Sequence, residues 1–297
     1  MTDYSLFTEN QNDWGGPWTE RKLEAFSKYV WSYLKIMQKH PYWKTIYFDG
    51  FAGSGNRSNN CKSELYNQLK LSLEEESGYK GAAQRVINLK DGLTFDYYYF
   101  IDSNETSLSN LEKRLIQEHS SKNKQLVFRS GDANKWVLEL ASALNTNSFA
   151  ALIFLDPFGM QIDWESIAAL ANTRSDIWIL VPTGVIVNRL LDKKGELKSI
   201  DKLQSFFGLN ADEIRNAFYY TQQYSTFFGE EELIKKVSKP IEKIARLYIN
   251  RLKTVWEHGI ENPLVLYNSK GVPIFHFVFA SNNTNAVKIA NQIIKSV

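Results

Sequence analysis

The residues best placed for chemistry are acids that follow short, β-rich apolar runs. The first run, Lys44–Asp49, ends in Asp49-Gly50-Phe51-Ala52-Gly53-Ser54-Gly55. Gly53 and Gly55 let the backbone turn tightly and approach a ligand, and open α/β sheets bind ligands at the carboxyl ends of their strands. Asp49, Gly50, Phe51, Ala52, Gly53 and Gly55 are therefore the expected cofactor loop. A phosphate-binding loop would carry Gly-Lys-Ser/Thr where Asn56-Arg57 stands, and a dinucleotide fingerprint would place glycine at Ser58. Asp102, 53 residues after Asp49, closes a second run, Phe95–Ile101. A carboxylate there, with Ser103 beside it, is expected to accept from ribose hydroxyls of a nucleoside.

Two more acids complete the set. Gly131-Asp132-Ala133 follows a third run, where Asp132 would accept from an adenine amino group and Ala133 would donate its backbone N–H. Asp132 reads equally well as the N-cap of the next helix. Asp156-Pro157-Phe158-Gly159 closes the most hydrophobic run, Ala150–Leu155. Asp156 and the Pro157 carbonyl can both accept from an exocyclic amino group, and Phe158 can stack on a base. Asp156, Pro157, Phe158 and Gly159 are the expected catalytic residues; the plainer reading is that Asp-Pro ends a strand.

The elements that must position these residues alternate. A helix with Thr19 as N-cap precedes the first strand. Helices over Gly81–Leu89, Glu105–His119, Lys135–Leu144 and Trp164–Ala171 separate strands at 44–49, 95–101, 125–129, 150–155 and 176–181. Such alternation predicts a parallel sheet with helices on both faces. Leu264–Tyr267 and Ile274–Ala280, joined by Asn268-Ser269-Lys270-Gly271, form a hairpin signal. Five parallel strands closed by a C-terminal hairpin is the plan of the Rossmann-like, seven-stranded class I methyltransferase fold. The expected organisation is an α/β domain of residues 1–183 plus 241–297, with a helical cap of residues 184–240 inserted after the fifth strand.

Composition narrows the class. The 297 residues are 43% hydrophobic and 23% charged, which suits a folded globular chain. One cysteine, Cys61, excludes intrachain disulfides and Cys-cluster metal sites. The four histidines have no ligand spacing, so no metal is expected. No apolar run reaches the ~18 residues of a membrane helix, and the polar start lacks a signal core; the expectation is a cytoplasmic protein without a membrane partner. Net charge is +2, but seven basic residues and one acid lie between Lys235 and Lys253. With Ile234, Val237, Ile241, Ile244 and Tyr248 at helical spacing, this predicts one basic amphipathic helix. Its outer residues, Lys243 and Arg246 among them, are either a solvated face or a phosphate-contacting one. Asn188 and Arg189, after the fifth strand, are further candidates to face substrate. The aromatics at 206–228 suit a small cap core or a base-stacking platform, and Trp14 and Trp18 a cofactor lid or a surface staple.

The Asp-x-Phe-Ala-Gly-Ser-Gly loop and the Asp-Pro-Phe-Gly segment resemble motifs I and IV of S-adenosylmethionine-dependent amino-methyltransferases. More closely, the chain resembles the bacterial three-Cys-motif partner protein family through Gly16-Pro17-Trp18-Thr19-Glu20, the 49–55 loop, Phe100-Ile101-Asp102, Gly131-Asp132-Ala133-Asn134, Phe154–Met160 and Phe207-Gly208. The resemblance implies the methyltransferase fold, S-adenosylmethionine as cofactor and a partner that carries the cysteine trio. Base-modifying enzymes usually read Asp/Asn-Pro-Pro-aromatic; here Phe158 replaces the second proline. The expected activity is methyl transfer to an exocyclic amino nitrogen of a nucleobase in DNA or RNA. The alternatives are a cofactor-binding partner or pseudoenzyme of a two-protein modification or defence system, a dinucleotide-dependent enzyme, or a protein or small-molecule acceptor.

Overall fold

The computed structural model describes residues 17–53, 81–146, 148–157, 159–226, 229–268 and 270–297. Expectations for Trp14, Gly55, the 56–80 insertion with Cys61, Phe158, Phe227 and Phe228 lie outside the described residues.

The first helix, α1 (Pro17–Met37), has one apolar side. Phe26, Tyr29, Val30 and Tyr33 are buried at helical spacing. They lay α1 along the sheet: Phe26 stacks on Phe154 at 4.2 Å between ring centroids, and Tyr29 meets Phe279 at 4.7 Å. Thr19 is not an N-cap. It sits inside the first turn, after Pro17, whose missing N–H and fixed φ suit the opening position.

Five strands run parallel: β1 (Lys44–Asp49), β2 (Tyr97–Asp102), β3 (Leu126–Ser130), β4 (Phe149–Leu155) and β5 (Ser175–Val181). The intervening helices are α2 (Gly81–Ile87), α3 (Glu105–Glu118), α4 (Ala133–Leu144) and α5 (Trp164–Ala168). β4 is apolar from end to end because both its faces are covered. The last strands are β9 (Leu264–Tyr267) and β10 (Pro273–Ser281), with a two-residue β8 (His258–Gly259) before them. β10 lies antiparallel beside β5 and pairs with β8 and β9, so the sheet reads β3-β2-β1-β4-β5-β10. This is the class I methyltransferase order, with its antiparallel C-terminal hairpin where the sequence places it. Asn268 shapes the turn by accepting from the Lys270 and Val272 N–H groups, both at 3.0 Å. The chain ends in α9 (Thr284–Ser296).

Between β5 and the basic helix the chain is only partly helical. A π-helical turn (Thr183–Val187) leads to α6 (Ile200–Phe207) and α7 (Ala211–Phe218). A two-stranded antiparallel hairpin follows, β6 (Tyr219–Thr226) and β7 (Gly229–Lys236). The expectation of a helical cap over 184–240 is corrected at its second half, where Tyr-Tyr-Thr-Gln-Gln-Tyr-Ser-Thr is β-prone and finds a cross-strand partner. The basic helix is shorter than its period suggests. It becomes α8 (Pro240–Leu252), because Lys239 takes a left-handed conformation (φ 51°) and Pro240 starts the helix. Leu233 and Ile234 therefore stand on a strand, half exposed. Phe206, Phe207 and Phe218 are core residues, as the cap-core reading expects, whereas Tyr220 faces outward.

Candidate functional site

The β1 register fixes the site. Asp49 lies opposite Phe100 on β2 and Phe154 on β4, so Asp102 and Asp156, two residues beyond those partners, emerge on the same rim. All three acids are buried, at 2% (Asp49), 4% (Asp102) and 2% (Asp156) exposure. Carboxylates out of water must be hydrogen-bonded or paired, and each is. Asp49 accepts from the Tyr47 hydroxyl at 3.0 Å and the Phe51 N–H at 3.2 Å. Burial pushes its carboxyl up to about 7, against the help of those two donors, and the Asp156 and Asp102 charges push the same way. Asp102 accepts from the Gly53 N–H at 3.1 Å and the Asn104 N–H at 2.7 Å. Gly53 packs closely on α3: a Cβ there would lie 3.1 Å from the Leu108 nitrogen, so the neighbouring backbone would have to give by a few tenths of an ångström.

Asp156 has the partner that sequence reasoning missed. The Lys22 ammonium, fully buried on α1, forms an ion pair with it. Lys22 also lies 5.5 Å from the centre of the Trp18 ring, and Trp18 stacks on Phe275 of β10 at 5.5 Å. Trp18 thus serves as a staple of α1 at 5% exposure. A signal for Lys22 was present: it stands four residues before Phe26, in line with the apolar stripe, where a lysine needs a reason.

The other expected residues divide. Gly50, Phe51, Ala52 and Gly53 form the turn after β1, and Ser103 follows Asp102 at the rim, exposed. Asp132 caps α4, accepting from the Asn134 N–H at 2.9 Å, and is exposed; Ala133 is buried beneath it. Asn134 ties the segment after Pro157 and Gly159 to α4. Its amide donates to the Gln161 carbonyl at 2.8 Å and its oxygen accepts from the Asp163 N–H at 2.9 Å. Asn188 is engaged elsewhere: its side-chain oxygen and carbonyl both accept from Lys236 at 2.8 Å, which anchors the β6–β7 hairpin. Arg189, Lys243 and Arg246 are exposed. Arg251 is not part of a free basic face; it donates to the Phe207 carbonyl at 2.8 Å and packs 4.5 Å from the Trp164 ring centre.

At the end of β5, Thr183 hydrogen-bonds His276 of β10 at 2.7 Å. Burial lowers His276 to about 4, against the raising charge of Glu242, so the imidazole is neutral near pH 7. Gly184 packs so tightly on β10 that a Cβ would stand 1.9 Å from the Pro273 oxygen. Among the described residues no group of His, Cys, Asp and Glu could hold a metal ion, and no helix is long and apolar enough to cross a membrane.

No protein-family model matches the chain, and no curated protein matches it. Among solved structures it aligns with the spermidine synthase of Thermotoga maritima at 11% identity and a TM-score of 0.42, over 92% of this chain. The chain spans 62% of that synthase. An S-adenosylmethionine-dependent methyltransferase from Clostridium acetobutylicum aligns at 12% identity and a TM-score of 0.35, over 86% of this chain and 92% of its own. Protein LPL1258 from Legionella pneumophila aligns at 14% and 0.35, over 78% and 92%. The fold assignment rests on the strand order, to which likenesses this distant add no weight.

Proposed function

We propose that the chain is an S-adenosylmethionine-dependent methyltransferase that acts on an exocyclic amino nitrogen of a nucleobase, beside a neighbouring protein that carries the three-cysteine motif. The reading is carried by the convergence of Asp49, Asp102 and Asp156 around the Gly53 turn. The donor set suits a cationic nucleoside: three buried acids converge on one rim, where the Lys22 ammonium pairs with Asp156. When bound, S-adenosylmethionine supplies an electrophilic methyl. Asp102 is the group to bind the ribose hydroxyls, and Asp49 the charge to oppose a sulfonium. Asp156 and the Pro157 carbonyl orient an incoming amino group, and Lys22 fixes the rotamer of Asp156. Such work is positioning, and alignment alone can supply ~7 kcal/mol or more of a transfer barrier. Lys243 and Arg246 offer phosphate contacts, whereas Glu230–Glu232 make the hairpin tip acidic and unsuited to nucleic acid.

The Lys22–Asp156 pair favours one second reading, a cofactor-binding subunit without transfer, because it already commits an oxygen of Asp156. Incubation with methyl-labelled S-adenosylmethionine and with DNA or RNA separates the two. Transfer predicts labelled nucleic acid that disappears in Asp156→Ala. The subunit reading predicts binding without label, and a function that survives Asp156→Ala but not Gly53→Asp. Label only on protein or on small molecules would contradict the nucleobase assignment.

A further inference from the structure

At the opposite rim of the sheet, beside the amino-terminal ends of β4 and β5, lies a cavity of about 410 Å³. That is within the range of small-molecule sites, ~300–1,000 Å³. It opens between the last two turns of α1, the start of β5 and the start of α9. Ile36, Met37, Ala286 and Ile289 make one side apolar.

Two charged groups stand out on the lining. Asp176 is partly accessible, and it accepts from the Tyr29 hydroxyl at 2.7 Å and from Ser281. Arg174 stacks on Trp43, 4.1 Å from the ring centre, and gives one N–H to the Phe149 carbonyl at 3.3 Å. Of the five N–H donors of a guanidinium, that contact uses one. The Tyr33 ring also lines the cavity, but its hydroxyl is enclosed by protein and has no hydrogen-bond partner. Both charges act on that hydroxyl, Asp176 and Arg174 with opposite sign. The cavity thus holds a carboxylate and a guanidinium beside an apolar side.

We propose that this cavity binds a small zwitterion, an ammonium–carboxylate compound with an apolar side chain. A simple amine would be attracted by Asp176 and repelled by Arg174, and a simple carboxylate the reverse; only a ligand with both charges satisfies the lining. The apolar body covers Met37 and Ile289.

Calorimetry of the whole chain with L-phenylalanine and L-methionine tests the proposal, with 2-phenylethylamine and 3-phenylpropanoate as probes lacking one charge each. The expected result is binding of an amino acid at least tenfold tighter than either single-charge analogue. Arg174→Met and Asp176→Asn should each erase that preference. Because both residues touch the fold, Met37→Trp supplies an independent check. It fills the cavity from a half-buried position and should abolish amino-acid binding while leaving S-adenosylhomocysteine binding unchanged. Absence of binding by both amino acids, equal binding of an analogue, or binding that persists in Met37→Trp would overturn the proposal.

Discussion

At the scale of single residues, the site consists of charges held out of water. Breaking a buried ion pair by removing one partner typically costs ~3–5 kcal/mol, so Lys22→Met should destabilise the chain by about that much in urea unfolding. A loss below ~1 kcal/mol would mean that the pair is solvated. Asp49 makes a prediction about pH. Burial holds its carboxyl near 7, above the ordinary 3.8, so the folded state keeps a proton that the unfolded state has released. Its contribution to stability is present below about pH 4 and is lost as pH rises to 7. Binding of a cation reverses the preference, because the cation favours the ionised acid. S-adenosylmethionine affinity should therefore rise up to tenfold between pH 6 and 8, more steeply than that of neutral-sulfur S-adenosylhomocysteine, and Asp49→Asn should remove the difference. Parallel pH profiles for the two ligands would place the sulfur away from Asp49.

The elements show what a sequence can disclose. The five parallel strands, the antiparallel hairpin and the acids at the strand ends were legible because each strand is a short apolar run ending in a turn residue, and because Asn268 to Gly271 is a turn signal. The basic helix was overextended: its period continues through Ile234 and Val237, and cross-strand pairing with Tyr219–Thr226 overrode it. Lys22 stands out within the apolar stripe of α1, but its partner was hidden because an ion pair across 134 residues leaves no local pattern. The same holds for the Thr183–His276 contact and the Lys236 anchor. Two substitutions test these joints. Gly184→Ala must push β10 away from the β5 turn, and overpacking of this kind costs ~1–3 kcal/mol; an unchanged denaturation midpoint would contradict the packing. His276 is lowered to about 4 from 6.5, so the unfolded chain gains a proton first as the solution is acidified. Stability from this residue is complete above pH 6.5 and is lost as pH falls towards 4. His276→Gln should flatten that acid limb, and an unaltered limb would assign it to other groups.

Taken whole, the molecule is a sheet with different polar groups at its two rims and an inserted arm. The carboxyl rim collects acids; the amino rim holds the Asp176–Arg174 cavity; α8 carries Lys243 and Arg246 outward. If nucleic acid docks on α8, its affinity falls steeply with salt and weakens further on Lys243→Glu or Arg246→Glu; salt-independent binding would remove that surface from the account. The proposed function requires first that an adenosine-bearing sulfonium bind at the carboxyl rim through Asp102. Titrating the chain calorimetrically with S-adenosylmethionine and with NAD measures it directly. The account predicts saturable binding of S-adenosylmethionine that Asp102→Ala weakens at least tenfold, with no binding of NAD. Tighter binding of NAD, or an S-adenosylmethionine affinity untouched by Asp102→Ala, would contradict it.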